Sequence, residues 1–293
     1  HCISHTGAKP VFVDICSDSG NIDVNKIEEK ITKRTKAIIV VHLVGLPAQM
    51  TEILKITKKY KIFLLEDCAA ALGAKFKNKL VGTFGLAGFF SFYPTKHITT
   101  MEGGMLITKN KKLANIVKKL SSFGYNKSLT ERKIPGIYNI DKLGYNFRMN
   151  EASAAMGIEQ LRKLKKFILT RKKNAEIIRN GIKDLINIKI MPYNLGDSIS
   201  SNFCVNILTK RNRNSLILKL NKKGVGTSVH YPVCLPKSNY YSKLSSSLLN
   251  SYPVATTFAR NIISLPCGPH IDKHQAKYIV EKVIECCKTK NIK

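Results

Sequence analysis

Tryptophan is absent and acidic residues are few: 19 Asp and Glu stand against 49 Lys and Arg, for a formal net charge of +30. No apolar stretch reaches the roughly 20 residues that a membrane-crossing helix needs, which excludes a helical span. No CxxC pair or Cys/His ligand spacing occurs among the eight cysteines. No metal site is therefore expected, and the cysteines read as scattered thiols of a reducing cytoplasm. Residues 1–5 show no charged start leading into an apolar core, so no signal peptide is read; there is also no initiator methionine. Internal repeats, an arginine-rich tail and aromatic–basic interleaving are missing too, which weighs against nucleic-acid binding. The positive charge is spread through lysine-rich helices. Compositional bias leaves it that way, and it also suits an anionic substrate without specifying one.

What is present is a chain of 293 residues, 44% of them apolar, ample for one large domain and a smaller one. Residues 10–15, 37–43 and 62–65 read as strands, and 21–31, 50–60 and 111–121 as helices. Alternating strands and helices predict a mostly parallel sheet covered on both faces. A polar loop is expected over 122–141, near the site. Asn150 is positioned to cap a helix running through Ala154, Ala155 and Ile158. A lysine-rich helix over 171–184 is expected to bridge to the second domain. That domain has strands at 202–208, 225–231 and 262–265, and helices at 213–223, 252–261 and 272–287. Asp272 and Gln275 are spaced as a capping box. The expected domains are 1–165 and 166–293.

The stretch with most chemistry is Phe89, Phe90, Ser91, Phe92, Tyr93, Pro94, Thr95, Lys96, His97, followed by Met101, Glu102, Gly103, Gly104 and a second apolar run. It reads as strand, lysine-bearing turn, glycine turn, strand. A lysine at the mouth of a buried sheet loses its proton more readily, because desolvation disfavours the ammonium. Its neutral amine can form a Schiff base with an aldehyde. Most lysines in so basic a chain are simply solvated, so the upstream context decides. Asp67 ends the apolar run 62–65, at the strand edge where ligands sit in open α/β sheets. A carboxylate there, with a lysine about thirty residues on, meets the needs of pyridoxal 5'-phosphate (PLP): an acid for the pyridine nitrogen and an amine for the aldehyde.

Three blocks together resemble the DegT/DnrJ/EryC1/StrS family of PLP-dependent sugar aminotransferases. They are Glu66, Asp67, Cys68, Ala69, Ala70, Ala71, Leu72, Gly73, Ala74; then Val81, Gly82, Thr83, Phe84, Gly85; then Ser91 to Lys96 with Glu102, Gly103, Gly104. The resemblance implies a fold-type I α/β structure with a smaller C-terminal α/β domain. It implies Lys96 as the catalytic Schiff-base lysine and Asp67 as the partner of the pyridine nitrogen. Ser91 is implied as a phosphate contact. Gly144, Tyr145, Asn146, Phe147, Arg148, Met149 resemble a family block whose Asn reaches the PLP phosphate of the neighbouring subunit, so Asn146 implies a homodimer with shared sites. His230 and Tyr231 resemble a segment near the substrate cleft. The substrates implied are a nucleotide-linked keto-sugar and an amino donor, glutamate. Members that dehydrate their sugar carry histidine in place of the lysine, so Lys96 favours aminotransfer, and His97 reads as a turn residue.

Residues 7–14 resemble a strand well inside the family's large domain, so the chain is expected to lack an N-terminal segment that carries a phosphate-binding turn. Two further departures stand out. Ala70 takes the place of a Gln or His that contacts the cofactor, and Met101 the place of a glycine, which is strained if φ there is positive. A same-fold protein with impaired catalysis is therefore one alternative. A basic nucleic-acid-binding protein is another.

Overall fold

The computed structural model describes residues 1–127, 129–243 and 251–288; Ser128, in the loop expected over 122–141, lies outside them. A single helical turn, α1 (Cys2–His5), precedes the first strand, β1 (Ala37–Val41), a β-branched run with Ile38 and Val40 inward. Helix α2 (Met50–Tyr60) follows, then β2 (Phe63–Asp67), the short β3 (Lys75–Phe76) and β4 (Lys79–Leu80), β5 (Ala87–Ser91) and β6 (Gly104–Ile107). The main sheet has the order β1-β2-β5-β6. Its first two pairings are parallel, and the β5/β6 hairpin is antiparallel. Met50, Ile53 and Ile56 recur at helical spacing on α2 and pack with Ile38, Val40 and Leu64 of the sheet.

Helix α3 (Lys111–Leu120) is capped by Asn110, whose side chain accepts from the Leu113 amide. Helix α4 (Glu151–Ile182) starts at Asn150, whose Oδ1 accepts from Ser153 N at 2.8 Å. It runs unbroken for 32 residues, about 48 Å at 1.5 Å per residue. The expected boundary at 165/166 falls inside it, as do all but the last two residues of the helix expected over 171–184. Its second half carries Ala175, Ile178 and Ile182 into another core, shared with β9 (Val205–Thr209), α5 (Arg213–Lys222), β10 (Ile262–Leu265) and α8 (Lys273–Lys288). The second sheet, β10-β9-β7, is antiparallel throughout, β7 being Ile188–Ile190. β8 (Ser198–Ile199) instead joins β3, and α6 (Asn239–Ser242) and α7 (Pro253–Asn261) complete the chain. Among the described residues no helix is long and apolar enough to cross a membrane.

Several local expectations change. None of residues 10–14 lies in a strand; the Asp14 carbonyl accepts from Asp23 N at 3.0 Å and Ile15 bridges to Ile22, so the expected strand is reduced to that one bridge. Residues 21–31 form two tight turns, Val24–Lys26 and Glu28–Lys30, rather than one helix. Asp23 accepts from Asn25 two residues on, an Asx-type turn that competes with helix propagation. Residues 225–231 contribute one bridge, Ser228 to Ser264, and Pro232 beyond them has no N–H for a ladder. The capping box holds: Asp272 N donates to Gln275 Oε1 at 2.9 Å, and Gln275 N to Asp272 Oδ1 at 2.8 Å.

The N-terminal segment is fastened by Asp14, which is buried. Its carboxylate accepts from the amides of Ile15, Val254 and Ala255, and Lys26 Nζ lies 3.6 Å away. Asp14 thus caps α7 from 240 residues away in sequence. Asp14→Ala is expected to cost about 1–3 kcal/mol by orphaning buried donors. Asp14→Asn, which keeps one acceptor oxygen, should cost less. Urea unfolding of the three proteins checks this order.

Candidate active site

β1, β2 and β5 run parallel, so their C-terminal ends share one edge. Asp67 ends β2 and Ser91 ends β5, opposite Gly104, the first residue of β6. Beyond Ser91 the chain turns through Lys96 and closes on Phe92: Thr100 N and Thr99 Oγ1 both donate to the Phe92 carbonyl at 3.0 Å. Lys96 N donates to Tyr93 O at 2.9 Å. This brings Lys96 back over the sheet edge.

Lys96 is half-buried, and its Nζ lies 5.3 Å from the centre of the Phe203 ring. Among the described residues this Nζ makes no hydrogen bond or ion pair. Burial lowers its pKa below the ordinary lysine value, opposed by the negative field of Asp67. The His230 ring meets the Phe203 ring edge-on at 5.4 Å. Burial, then the Lys96 charge, lowers the pKa of His230. Tyr231 leaves 54% of its surface exposed, yet crowding around its hydroxyl, with Asp67 and Cys204 nearby, raises its pKa. Lys96, Asp67, His230 and Tyr231 therefore share one electrostatic neighbourhood. Ser91 lies at the same edge, its Oγ accepting from Tyr93 N at 3.3 Å. Asn146 is exposed and makes none of these contacts; it bridges to Ser122 and accepts from Arg148 Nε at 3.1 Å.

His97 turns away. Its Nε2 lies 3.1 Å from the Ser201 carbonyl and its ring 5.6 Å from Phe203. Burial, then the Arg171 charge, pushes its pKa down to about 3, so it is neutral and Nε2–H donates. Phe203 is the residue that sequence reasoning missed. An aromatic just before an apolar strand looks like core, and only the chain path puts it beneath Lys96. Arg171 holds it there, donating from a guanidinium nitrogen to the Phe203 carbonyl at 2.8 Å.

A second missed feature lies one residue before Asp67. Glu66 is fully buried. Its Oε1 accepts from Phe84 N and Gly85 N, both at 2.7 Å, and Oε2 from Gly82 N at 2.6 Å and His42 Nε2 at 3.2 Å. His42 Nδ1 accepts from Ala48 N, which fixes the proton on Nε2. His42, Glu66 and Cys68 bring their donor atoms within 4.8 Å of one another. The His and Glu atoms are spent on these hydrogen bonds, and burial raises the Cys68 thiol pKa, so the cluster works as a clamp. Gly82, at φ +85°, and Gly88 are required: a Cβ on Gly88 would lie 2.4 Å from Gly82 backbone atoms.

Residues 1–284 match the DegT/DnrJ/EryC1/StrS aminotransferase family. The chain belongs to that family. It is 35% identical over 288 residues to the GDP-perosamine synthase of Escherichia coli O157:H7, covering 97% of this chain and 75% of that protein. Among solved structures it is similar to DesV of S. venezuelae, with a TM-score of 0.90, 30% identity, and coverage of 99% of this chain and 75% of that one. It is also similar to the PLP form of Spr1654 from Streptococcus pneumoniae, with a TM-score of 0.89, 27% identity, and coverage of 98% and 77%. The mixed sheet with flanking helices is the fold-type I architecture of this DegT-type family. Of the two departures from the DegT-type pattern, Met101 does adopt φ +66°, a conformation that favours glycine. Ala70 follows Asp67 in the turn where Ala69 N donates to Asp67 Oδ1 at 2.9 Å.

Glu66 carries a pH signature. Burial raises its pKa, but hydrogen bonds from His42, Gly85 and Gly82 outweigh this, and the net shift is downward. Its stabilisation is complete above the unfolded value of about 4.3 and is lost as the pH falls through the lower folded value. Glu66→Gln, whose amide NH2 must face an N–H donor, is expected to lose roughly 3 kcal/mol at pH 7. The gap to wild type should narrow below about pH 4. Urea titrations at several pH values read it directly.

Proposed function

We propose that this chain is a PLP-dependent aminotransferase that moves an amino group from glutamate to a nucleotide-linked keto-sugar, for polysaccharide or other glycan synthesis in the cytoplasm. The observation that carries the reading is Lys96: a half-buried amine with no partner among the described residues, resting on Phe203 in the field of Asp67. The donor set suits the cofactor. Besides that amine, Asp67 has an oxygen, Oδ2, with no hydrogen bond among the described residues, and the Ser91 hydroxyl accepts one bond with its hydrogen still to give. GDP-perosamine synthase, a relative at 35% identity, supports the nucleotide-sugar class.

In this reading Lys96 Nζ would hold the cofactor aldehyde, Asp67 Oδ2 would keep the proton on the pyridine nitrogen, and Ser91 Oγ would donate to the phosphate. Bound PLP supplies the electron sink that stabilises negative charge at the carbon losing its proton. Lys96 then has a second task, which its lowered pKa suits. As a neutral amine it would take up or return a proton at the substrate carbon whose bond to nitrogen changes. Phe203 screens one side of Nζ from water, and His230 and Tyr231 line the substrate side.

The assembly in this reading is a homodimer. Leu143 is 95% exposed and Phe147 72%, and Ile158 and Leu161 on the first half of α4 are exposed as well. So much exposed apolar surface is what a subunit contact buries. Asn146 sits within it and completes the neighbour's phosphate site.

Trapping tests the first part. With limiting PLP at pH 7, borohydride reduction should leave the pyridoxyl group on Lys96, because solvated lysines are protonated there. Lys96→Ala should lose that adduct and at least about a thousandfold of kcat. Adducts scattered over surface lysines would defeat the reading. Subunit mixing tests the second part. Lys96→Ala and Asn146→Ala homodimers should both be impaired. Their heterodimers should regain activity, since one of the two shared sites then has both residues intact.

A further inference from the structure

His230 belongs to a hydrogen-bonded chain that reaches back into the second sheet. Asn206 on β9 and Ser264 on β10 are register partners, and both are buried. Ser264 Oγ donates to Asn206 Oδ1 at 2.7 Å, and His230 Nδ1 lies 2.9 Å from the same Oγ. The Cys204 thiol also points at Asn206 Oδ1, at 3.2 Å. Burial pushes the pKa of that thiol up to about 12, so it stays a donor. The thiol donor puts the Asn206 carbonyl oxygen here, and Ser264 Oγ donates to the same oxygen; the buried Asn206 Nδ2 has no hydrogen-bond partner among the described residues. The direction of the chain follows. Ser264 spends its single proton on Asn206, so its oxygen accepts from His230, and the His230 proton sits on Nδ1. Backbone bonds in both directions between Ser228 and Ser264 hold the segment leading to His230 in place. His230 Nε2 has no hydrogen-bond partner among the described residues. The ring meets Phe203, the same ring that Lys96 Nζ approaches at 5.3 Å.

We propose that Asn206 and Ser264 are positioning residues that lock His230 in the Nδ1–H tautomer, so that Nε2 is presented as a hydrogen-bond acceptor for a hydroxyl of the sugar substrate. The substrate clause rests on the aminotransferase reading above; the tautomer does not. Asn206 and Ser264 touch neither Lys96 nor Asp67, and they act only by fixing which ring nitrogen carries the proton.

The test is the tautomer itself, read from long-range 1H–15N spectra of protein labelled with 15N-histidine, His230 being assigned by its loss in His230→Gln. The expected result is the Nδ1–H form in wild type, lost in Ser264→Ala and kept in Ser264→Thr. The Nε2–H form in wild type would overturn the proposal even if neither variant folded, and so would an unchanged spectrum in Ser264→Ala. A second arm uses PLP-loaded enzyme with GDP-perosamine as amino donor in the reverse half-reaction. Ser264→Ala should raise the half-saturating concentration about tenfold with little change in the limiting rate. An unchanged half-saturation with the tautomer lost would remove the substrate role. A wild-type enzyme that ignores GDP-perosamine counts against the sugar reading, while the spectrum still decides the relay.

Discussion

One buried carboxylate governs the geometry of the catalytic edge. Glu66 gathers three backbone amides from the 82–85 turn and the imidazole of His42 from the end of β1. These donors come from segments that would otherwise meet at the sheet edge with orphaned N–H groups. A carboxylate has about four acceptor positions, and here all four are filled. The next residue in the chain is Asp67, so whatever holds Glu66 also fixes the direction in which Asp67 leaves the strand. A charge this deep costs several kcal/mol to desolvate, and full satisfaction of its lone pairs offsets that cost.

A second constraint comes from the other half of the molecule. Arg171 and Arg179, both buried on α4, spend donors on the irregular stretch ahead of β9: Arg171 on the Phe203 carbonyl and Arg179 on Asn202 Oδ1 at 2.7 Å. Burial lowers the pKa of both guanidiniums. The long helix thereby links the packing of the second core to the position of one aromatic ring. That ring is approached by Lys96 Nζ at 5.3 Å and by the His230 ring at 5.4 Å, so the site is a joint product of both sheets. The surface ion pairs, such as Lys189 with Asp18 at 2.8 Å, are exposed and contribute little by comparison.

The excess of positive charge has no such structural role. Most of the lysines have no acidic partner to find, with 49 basic residues against 19 acidic ones. They leave the molecule broadly cationic, which suits an anionic ligand through long-range attraction without specifying one.

Sequence alone determined the features that depend on near neighbours. The β-branched run of β1 and the apolar run leading into β2 made strands, Asn150 and the Asp272/Gln275 pair marked helix starts, and the apolar face of α2 declared itself by spacing, because those preferences act within a few residues. The lysine turn and the acid at a strand end were legible for the same reason, whereas the positive φ at Met101 was only a condition until the turn was seen. Tertiary structure alone decided what lies beside them. The Asp14 cap on α7 spans 240 residues, His97 meets Ser201 across 104, and His42 meets Glu66 across 24. No local pattern distinguishes Phe203 from a core aromatic, or Asn206 and Ser264 from ordinary strand polar residues. Their roles follow from pairing register and from which groups burial leaves without water, and both exist only once the two sheets have packed.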